Sequence, residues 1–309
     1  MSIYFTFEKH YNTLSNYYKN KYHQKLAKIP LNIGLSCPNR DGKLSHVGCT
    51  YCENFKLENI PSLSYQFLEK VEVIEKKWSN IGYIAYFQNG TNTYANLDFL
   101  KKIYLEVINL SPKIKILSIA TRPDCIDTDI LDFISTLTDK VDIQIELGFQ
   151  TSNEKTALLI NRCYKNSVFE EAVSKIKKYN IHLIVHIING LPFESETDML
   201  NTIKYLNRFD IDGIKIHMLN IVKDSIMGKL YQKEPFKLLT LQEYIIIVSS
   251  QIRLLKSSII IHRISGDSKK DTLIEPKWVL NKFVVLNELD KYLRSRNYFQ
   301  GDLNNEIND

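Results

Sequence analysis

Ile114-Lys-Ile-Leu-Ser-Ile-Ala-Thr121 is a β-rich apolar run, and Val141-Asp-Ile-Gln-Ile-Glu-Leu-Gly-Phe149 is a second. Between them, 127–138 carries apolar residues at helical spacing. Strand, helix, strand is the unit of a parallel sheet, because a parallel neighbour can be reached only by a crossover. The unit recurs outward in both directions. Runs at 28–35 and 81–88 precede it and runs at 182–188 and 213–218 follow it, with helical segments at 64–80, 96–110, 167–180 and 195–209. Ser195 with Asp198 reads as a capping pair for the last of these. Six β/α units predict an α/β fold, as an open doubly wound sheet or a partial barrel. Periodicity does not separate the two.

Beyond 218 the pattern loosens into a connection, a helix over 241–256, an apolar strand over 258–264 and a helix over 278–296. The expected division is a basic, aromatic segment at 1–30, a core at 31–220, a C-terminal extension packed on it at 221–300, and an acidic, Asn-rich tail at 301–309 that frays. At 309 residues and 44% hydrophobic content the chain can bury a sizeable core, and no repeat or Pro/Gly-rich linker marks a second domain. No run approaches the ~20 apolar residues of a membrane span, and the first eight residues lack the form of a secretory signal, so a cytoplasmic location is expected. Five cysteines, an odd number in a chain this large, argue against a disulfide framework. A net charge of +5 and a pI near 8.7 permit a polyanionic partner without requiring one.

Chemistry concentrates in Cys37-x11-Cys49-x2-Cys52, directly after the first strand and among the turn formers Pro38, Asn39, Asp41, Gly42, Ser45 and Gly48. Thiolates are the soft ligands an Fe–S cluster needs, and three of them leave one iron of a cubane open to a substrate or cofactor. Zinc is the rival, with His46 completing a Cys3His set in a non-catalytic module that recognises RNA. Three buried thiols without metal are a third reading, disfavoured by the polar surroundings. A loop leaving the C-terminal end of a parallel strand opens on the face where such folds place their sites.

At these residues the chain resembles the radical S-adenosylmethionine (SAM) superfamily, and within it the YhcC-like branch. The branch's cluster loop reads like Cys37-Pro-Asn-Arg-Asp-Gly42 followed by Gly48-Cys-Thr-Tyr-Cys52. Similar segments follow in order: Tyr86-Phe-Gln88, Thr91-Asn-Thr-Tyr94, Ala120-Thr-Arg-Pro-Asp124, Glu146-Leu-Gly-Phe-Gln150, Ile160-Asn-Arg162, Gly190-Leu-Pro192, Lys215-Ile-His217, His262-Arg263 and Pro276-Lys-Trp278. Cys163-Tyr164 departs from the Gly-His expected of the branch.

The resemblance implies a partial (β/α)6 TIM-like barrel and a [4Fe–4S] cluster on Cys37, Cys49 and Cys52. SAM would chelate the open iron and be cleaved by one electron to a 5′-deoxyadenosyl radical. A flavodoxin or ferredoxin would be the reductant. The SAM contacts it implies are Tyr51 beside the adenine, Gln88, Thr91 and Asn92 at the amino group, Glu146 and Gln150 at the ribose or methionine portion, and Arg162 at the carboxylate. Each has a plainer alternative: local packing for Tyr51, a strand-to-helix turn for 88–92, satisfied interior groups for Glu146 and Gln150. Arg122, His217 and Arg263 are substrate-side candidates or satisfied interior residues, and Cys125 and Cys163 read as structural.

For substrate, the resemblance extends to the Elongator catalytic subunit and implies a tRNA, at the wobble-uridine C5 side chain. The concrete expectation is conversion of carboxymethylaminomethyl to aminomethyl, starting with hydrogen abstraction next to the side-chain nitrogen. Residues 1–30 carry five lysines and five tyrosines against one acid, Glu8, which suits backbone attraction and base stacking or, alternatively, a solvated helix whose tyrosines cover the barrel. A protein or small-metabolite substrate is the remaining option.

Overall fold

The alternation of apolar and polar residues along the parallel strands determines which groups reach the site. In the computed structural model, which describes residues 5–6, 8–53, 59–266 and 268–304, the chain begins α1 (Leu14–Tyr22), β1 (Lys25–Leu31), α2 (Leu63–Glu75), β2 (Ile81–Phe87), α3 (Leu97–Ile108). It continues β3 (Ile114–Thr121), α4 (Thr128–Ser135), β4 (Asp142–Gln150), α5 (Glu154–Leu159), α6 (Asn166–Ile176), β5 (His182–Asn189), α7 (Glu196–Leu206) and β6 (Gly213–Met218). Then follow β7 (Ile221–Val222), α8 (Ile226–Lys233), α9 (Leu241–Leu254), β8 (Ile260–Arg263), β9 (Leu273–Glu275) and α10 (Lys282–Arg296). Ser195 and Asp198 form the capping box at the start of α7.

Seven strands pair in parallel in the order β1-β2-β3-β4-β5-β6-β8 and curl into a half-barrel, while β7 and β9 form a separate antiparallel pair. The six-unit expectation is thus extended by one. The strand read in the C-terminal extension takes the seventh place beside β6, so the sheet runs across the boundary placed at 220.

On β4, Ile143, Ile145, Leu147 and Phe149 are buried in the main core, and Phe149 meets Phe169 of α6 at a 4.3 Å centroid distance. The alternate residues of the same strand, Gln144 and Glu146, face the other side. There α1 packs: Tyr18 joins Ile84 and Ile116 in a small second cluster, its hydroxyl lies 3.4 Å from Gln144 Oε1, and Tyr22 donates to Asp142. α1 touches both β1 and β8, and Thr13 bridges Ile261. The N-terminal tyrosines therefore pack: Tyr11 and Tyr18 are buried, and Tyr11 bonds Asp290. Of the tail, residues 301–304 are held by Gly301 N to Ile252 O at 3.2 Å, Leu303 N to Arg253 O at 3.0 Å and an Arg253–Asp302 ion pair; 305–309 lie outside the described residues. Among the described residues no helix is long and apolar enough to cross a membrane.

Candidate active site

Twenty-odd residues after β1 would be an unsupported loop without internal bonds. Here Arg40 N reaches Cys37 O at 2.7 Å, Leu44 N reaches Pro38 O at 2.8 Å, Gly48 N reaches Asn39 O at 2.6 Å and Cys52 N reaches Cys49 O at 3.0 Å. The folded loop is pinned to the turn after α5. Thr50 N donates to Ile160 O at 3.0 Å, Asn161 Nδ2 to Gly48 O at 2.7 Å, and Asn39 Nδ2 to Asn161 O at 2.5 Å. On the other side Thr91 N donates to Ser36 O at 3.0 Å, which brings the end of β2 against the same loop.

Gly90 serves this contact. It sits at φ +75°, and a Cβ there would lie 2.1 Å from Leu35 O, so the glycine permits close approach to the cysteine loop. Gly90→Ala is expected to destabilise the protein by about 1–3 kcal/mol, through strain and the displaced loop, read from the denaturant midpoint.

The result is a cavity of about 560 Å³ whose lining includes Cys37, Cys49 and Cys52 on one side. Tyr51, Gln88, Thr91, Arg122, Glu146, Gln150 and His217, all singled out in the sequence, also line it. A hydrogen bond with the Cys52 thiol, helped by Arg122 and Asn39, holds the Cys49 thiol below the ordinary range against the effect of burial, while Cys52 is held up by the same bond. Asn39 Nδ2 lies 3.4 Å from Cys49 Sγ. A thiol biased toward thiolate is the ligand form for metal. Burial drives the Cys125 thiol up to about 12, the behaviour of an inert packed residue. Cys163 is exposed at φ +62° and reaches Asn161 Oδ1 at 3.1 Å.

His46 is exposed, stacked over Gly42, and is not among the cavity-lining residues. Among the described residues, no three His, Cys, Asp or Glu side chains close around a single-ion point. His46, outside the cavity, does not complete a tetrahedral set with the three cysteines, whereas a cubane spreads three thiolates over three corners and leaves one open.

Three expected contacts are not offered to the cavity. Arg162 is 1% exposed and donates to Phe149 O (3.0 Å), Thr151 O (2.8 Å), Tyr164 O (2.9 and 3.1 Å) and Asn166 Oδ1 (2.8 Å). Its guanidinium is consumed in tying the end of β4 to the turn between α5 and α6 and to the start of α6, so the carboxylate role expected of it is replaced by a structural one. Arg162→Leu is expected to cost on the order of 3 kcal/mol by leaving several carbonyls unsatisfied, measured by urea unfolding. Asn92 is fully buried, and its Nδ2 donates to Ala120 O at 2.8 Å. Arg263 lines a different cavity. Arg122, at the mouth, is held by two 2.8 Å bonds to Asp124 and faces the cysteine loop.

Glu146 lines the cavity floor but is enclosed. Oε1 accepts from Ser118 at 2.9 Å and Lys28 at 3.2 Å; Oε2 accepts from His186 Nε2 at 2.8 Å and from Lys215. Burial opposes its charge, yet Lys28, Lys215 and His186 together keep the carboxyl well below its usual range. Burial, with Lys215 adding to it, pushes His186 down to about 4, so the ring is neutral and Nε2–H donates to Glu146. His217 lies tilted beside His186 at a 5.3 Å centroid distance, is also held neutral by burial, and its Nε2 has no partner among the described residues. Lys28, Lys215, His186, Asn39 and Asn161 do not stand out in the sequence as site residues. Lys28 on β1, His186 on β5 and Lys215 on β6 share the inward parity of Glu146, and that shared parity is the signal that could have found them.

A curled parallel half-barrel with a three-thiol loop at the C-terminal end of β1 is the architecture of radical SAM enzymes, and the chain belongs to the radical SAM superfamily. The family model matches residues 32–206, and the Radical_SAM C-terminal domain matches 211–295. Members use a [4Fe–4S] cluster and SAM. The chain is 38% identical to YtqA of Bacillus subtilis (strain 168) over 299 residues, covering 95% of this chain and 92% of that one. It is 32% identical to protein YhcC of Escherichia coli (strain K12), covering 88% and 89%. It shares its fold with the archaeal Methanocaldococcus infernus Elp3 with an N-terminal deletion, at TM-score 0.65 and 16% identity, covering 90% of this chain and 64% of that chain.

Proposed function

We propose that Cys37, Cys49 and Cys52 hold the cluster, that Tyr51, Gln88, Thr91 and Gln150 face SAM in the adjoining cavity, and that the substrate is a tRNA. The carrying observation is the convergence of the three thiols on one wall of a 560 Å³ cavity, a volume within the ordinary small-ligand range. When bound, the cluster and SAM supply one-electron cleavage of SAM to a 5′-deoxyadenosyl radical. This chain's residues set the surroundings. Asn39 orients Cys49, Arg122 favours its thiolate, and neutral His186 and His217 present imidazoles without adding charge to the floor.

The reaction we propose converts the carboxymethylaminomethyl group at C5 of the wobble uridine to aminomethyl. Hydrogen is abstracted next to the side-chain nitrogen, from the methylene between nitrogen and carboxylate. A one-electron acceptor takes the carbon radical to the imine with loss of a proton, and water then cleaves the carbon–nitrogen bond to release glyoxylate and the amine. Three things support a tRNA substrate: the family resemblance, the excess of lysines in 1–30, and a partial relative whose name describes tRNA chemistry. That relative, the tRNA-2-methylthio-N(6)-dimethylallyladenosine synthase of Clostridium botulinum, is 26% identical over 176 residues, covering 54% of this chain and 39% of its own length. An anticodon loop suits an enclosed site, since its bases leave the stack more readily than those of a duplex.

The test is anaerobic incubation of bulk tRNA with the reconstituted protein, SAM and a reductant, followed by nucleoside analysis. Replacement of the carboxymethylaminomethyl nucleoside by the aminomethyl one is expected. SAM cleavage with an unchanged nucleoside profile would refute the tRNA reading and direct the search to a protein or small metabolite.

A further inference from the structure

Gln150, the last residue of β4, lines the active-site cavity with its backbone at φ +69°, a region that residues with a side chain seldom occupy. Thr151 N donates to Phe149 O at 2.9 Å and closes a three-residue turn with Gln150 at its centre, and the pairing with β5 shifts register between Gly148 and Gln150. Strain of this kind persists only where its surroundings hold it, and it gathers where a side chain has to be aimed. Here the side chain is the Gln150 carboxamide. It folds back across Gly148, where an added β-carbon would stand 2.6 Å from Nε2.

What clamps this turn is the stretch in which the chain departs from its branch, where Tyr164 stands in place of the expected histidine. Arg162 takes the carbonyls of Phe149 and Thr151, at 3.0 and 2.8 Å. Tyr164 takes that of Gly148: its hydroxyl donates to Gly148 O and lies 3.5 Å from Gln150 Oε1. The tyrosine ring is packed against two guanidiniums, 4.5 Å from Arg162 and 5.1 Å from Arg122, which fixes where its hydroxyl can reach. Unlike Arg162, Tyr164 also lines the cavity, beside Gly148 and Gln150.

We propose that Tyr164 is a positioning residue that holds the Gln150 carboxamide at the cavity wall, ready to hydrogen-bond the polar groups of SAM. The role rests on the reading that Gln150 faces SAM and adds what aims it. By meeting Gly148 O and the Gln150 carboxamide at once, the hydroxyl ties the side chain to the backbone of its own turn. A carboxamide fixed before the ligand arrives gives up less rotamer freedom on binding than a loose one, so Tyr164 acts on affinity through Gln150.

The test is equilibrium dialysis of the reconstituted protein against SAM without a reductant, which reads binding apart from turnover. Tyr164→Phe is expected to weaken SAM binding about five-fold and Gln150→Ala about ten-fold, the range of one hydrogen bond, with iron content unchanged in both. Gly148→Ala should match Gln150→Ala, because the added methyl displaces only the far end of the Gln150 side chain. Tyr164→Phe/Gln150→Ala should bind no more weakly than Gln150→Ala, since two residues that act in series do not add. A tyrosine with a merely structural part would give the same loss in both backgrounds. That result, or unchanged affinity in Tyr164→Phe beside a weakened Gln150→Ala, would overturn the role and leave the Gln150 contact standing. Unchanged affinity in Gln150→Ala would refute the reading beneath it, and the role with it.

Discussion

Cys49→Ala, purified without oxygen and reconstituted beside wild type, is expected to lose most of its iron and sulfide and all measurable SAM cleavage. Cys49 is the buried member of the triplet, the one whose thiol is biased toward thiolate, and the one Asn39 addresses at 3.4 Å. Cys125 is buried with its thiol raised to about 12, His46 lies outside the cavity, and Cys163, near Cys49 and Asn39, is removed in a companion Cys49→Ala/Cys163→Ala variant that should behave the same. Two thiolates cannot hold a cubane with one open corner. Cys125→Ala should keep full iron and cleavage, which separates ligand loss from general thiol loss. Retention of iron and activity by Cys49→Ala would remove this cysteine from the ligand set.

Glu146→Gln should be the costliest single change in the barrel interior, at about 3–5 kcal/mol, because it leaves Lys215 and Lys28 inside without their counter-charge. Lys215 is only 2% exposed and cannot recover water. Adding Lys215→Met to Glu146→Gln is expected to regain much of the loss, since the uncompensated cation goes with it. The pH dependence has a definite sign. A carboxyl whose native pKa is depressed contributes stability in full above its unfolded value of about 4.3 and loses it as pH falls through the native value. Wild type should therefore lose its advantage over the variant in strong acid, and the advantage should also shrink as pH rises past about 7, where Lys215, lowered to about 7 chiefly by burial, gives up its proton. Urea unfolding of the three proteins across pH measures it; a pH-independent gap would place the stabilisation elsewhere.

Legibility in the sequence follows from how local each residue's environment is. β2 to β6 can be read because their outward faces are largely apolar, and five of the six predicted core strands begin within a residue of their place. β1 starts three residues before its predicted position because Lys25 looks like a surface residue, and Lys28, the predicted first residue, turns inward to Glu146. It also ends earlier, because Asn32 and Gly34 begin the turn that their apolar neighbours disguise. β8 is visible as a strand but not as the barrel's seventh, since pairing with β6 is a long-range fact.

The site divides the same way. The three cysteines announce themselves by spacing and by their turn-rich loop. Arg162 stands out by its charge, and its actual work, tying carbonyls at the end of β4 to the turn after α5, depends on where those carbonyls fall. The residue of its motif that docks the cysteine loop is Asn161, through its positive φ and its bonds to Gly48 and Ser45.

The most direct measurement of the central claim is isotope transfer. A tRNA carrying the carboxymethylaminomethyl group, deuterated at the methylene between nitrogen and carboxylate, is incubated with the reconstituted protein, SAM and a reductant, and the 5′-deoxyadenosine is analysed by mass spectrometry. Deuterium in the deoxyadenosine, together with the aminomethyl nucleoside in the tRNA, is the predicted result. Deoxyadenosine free of deuterium over an unchanged tRNA would contradict it.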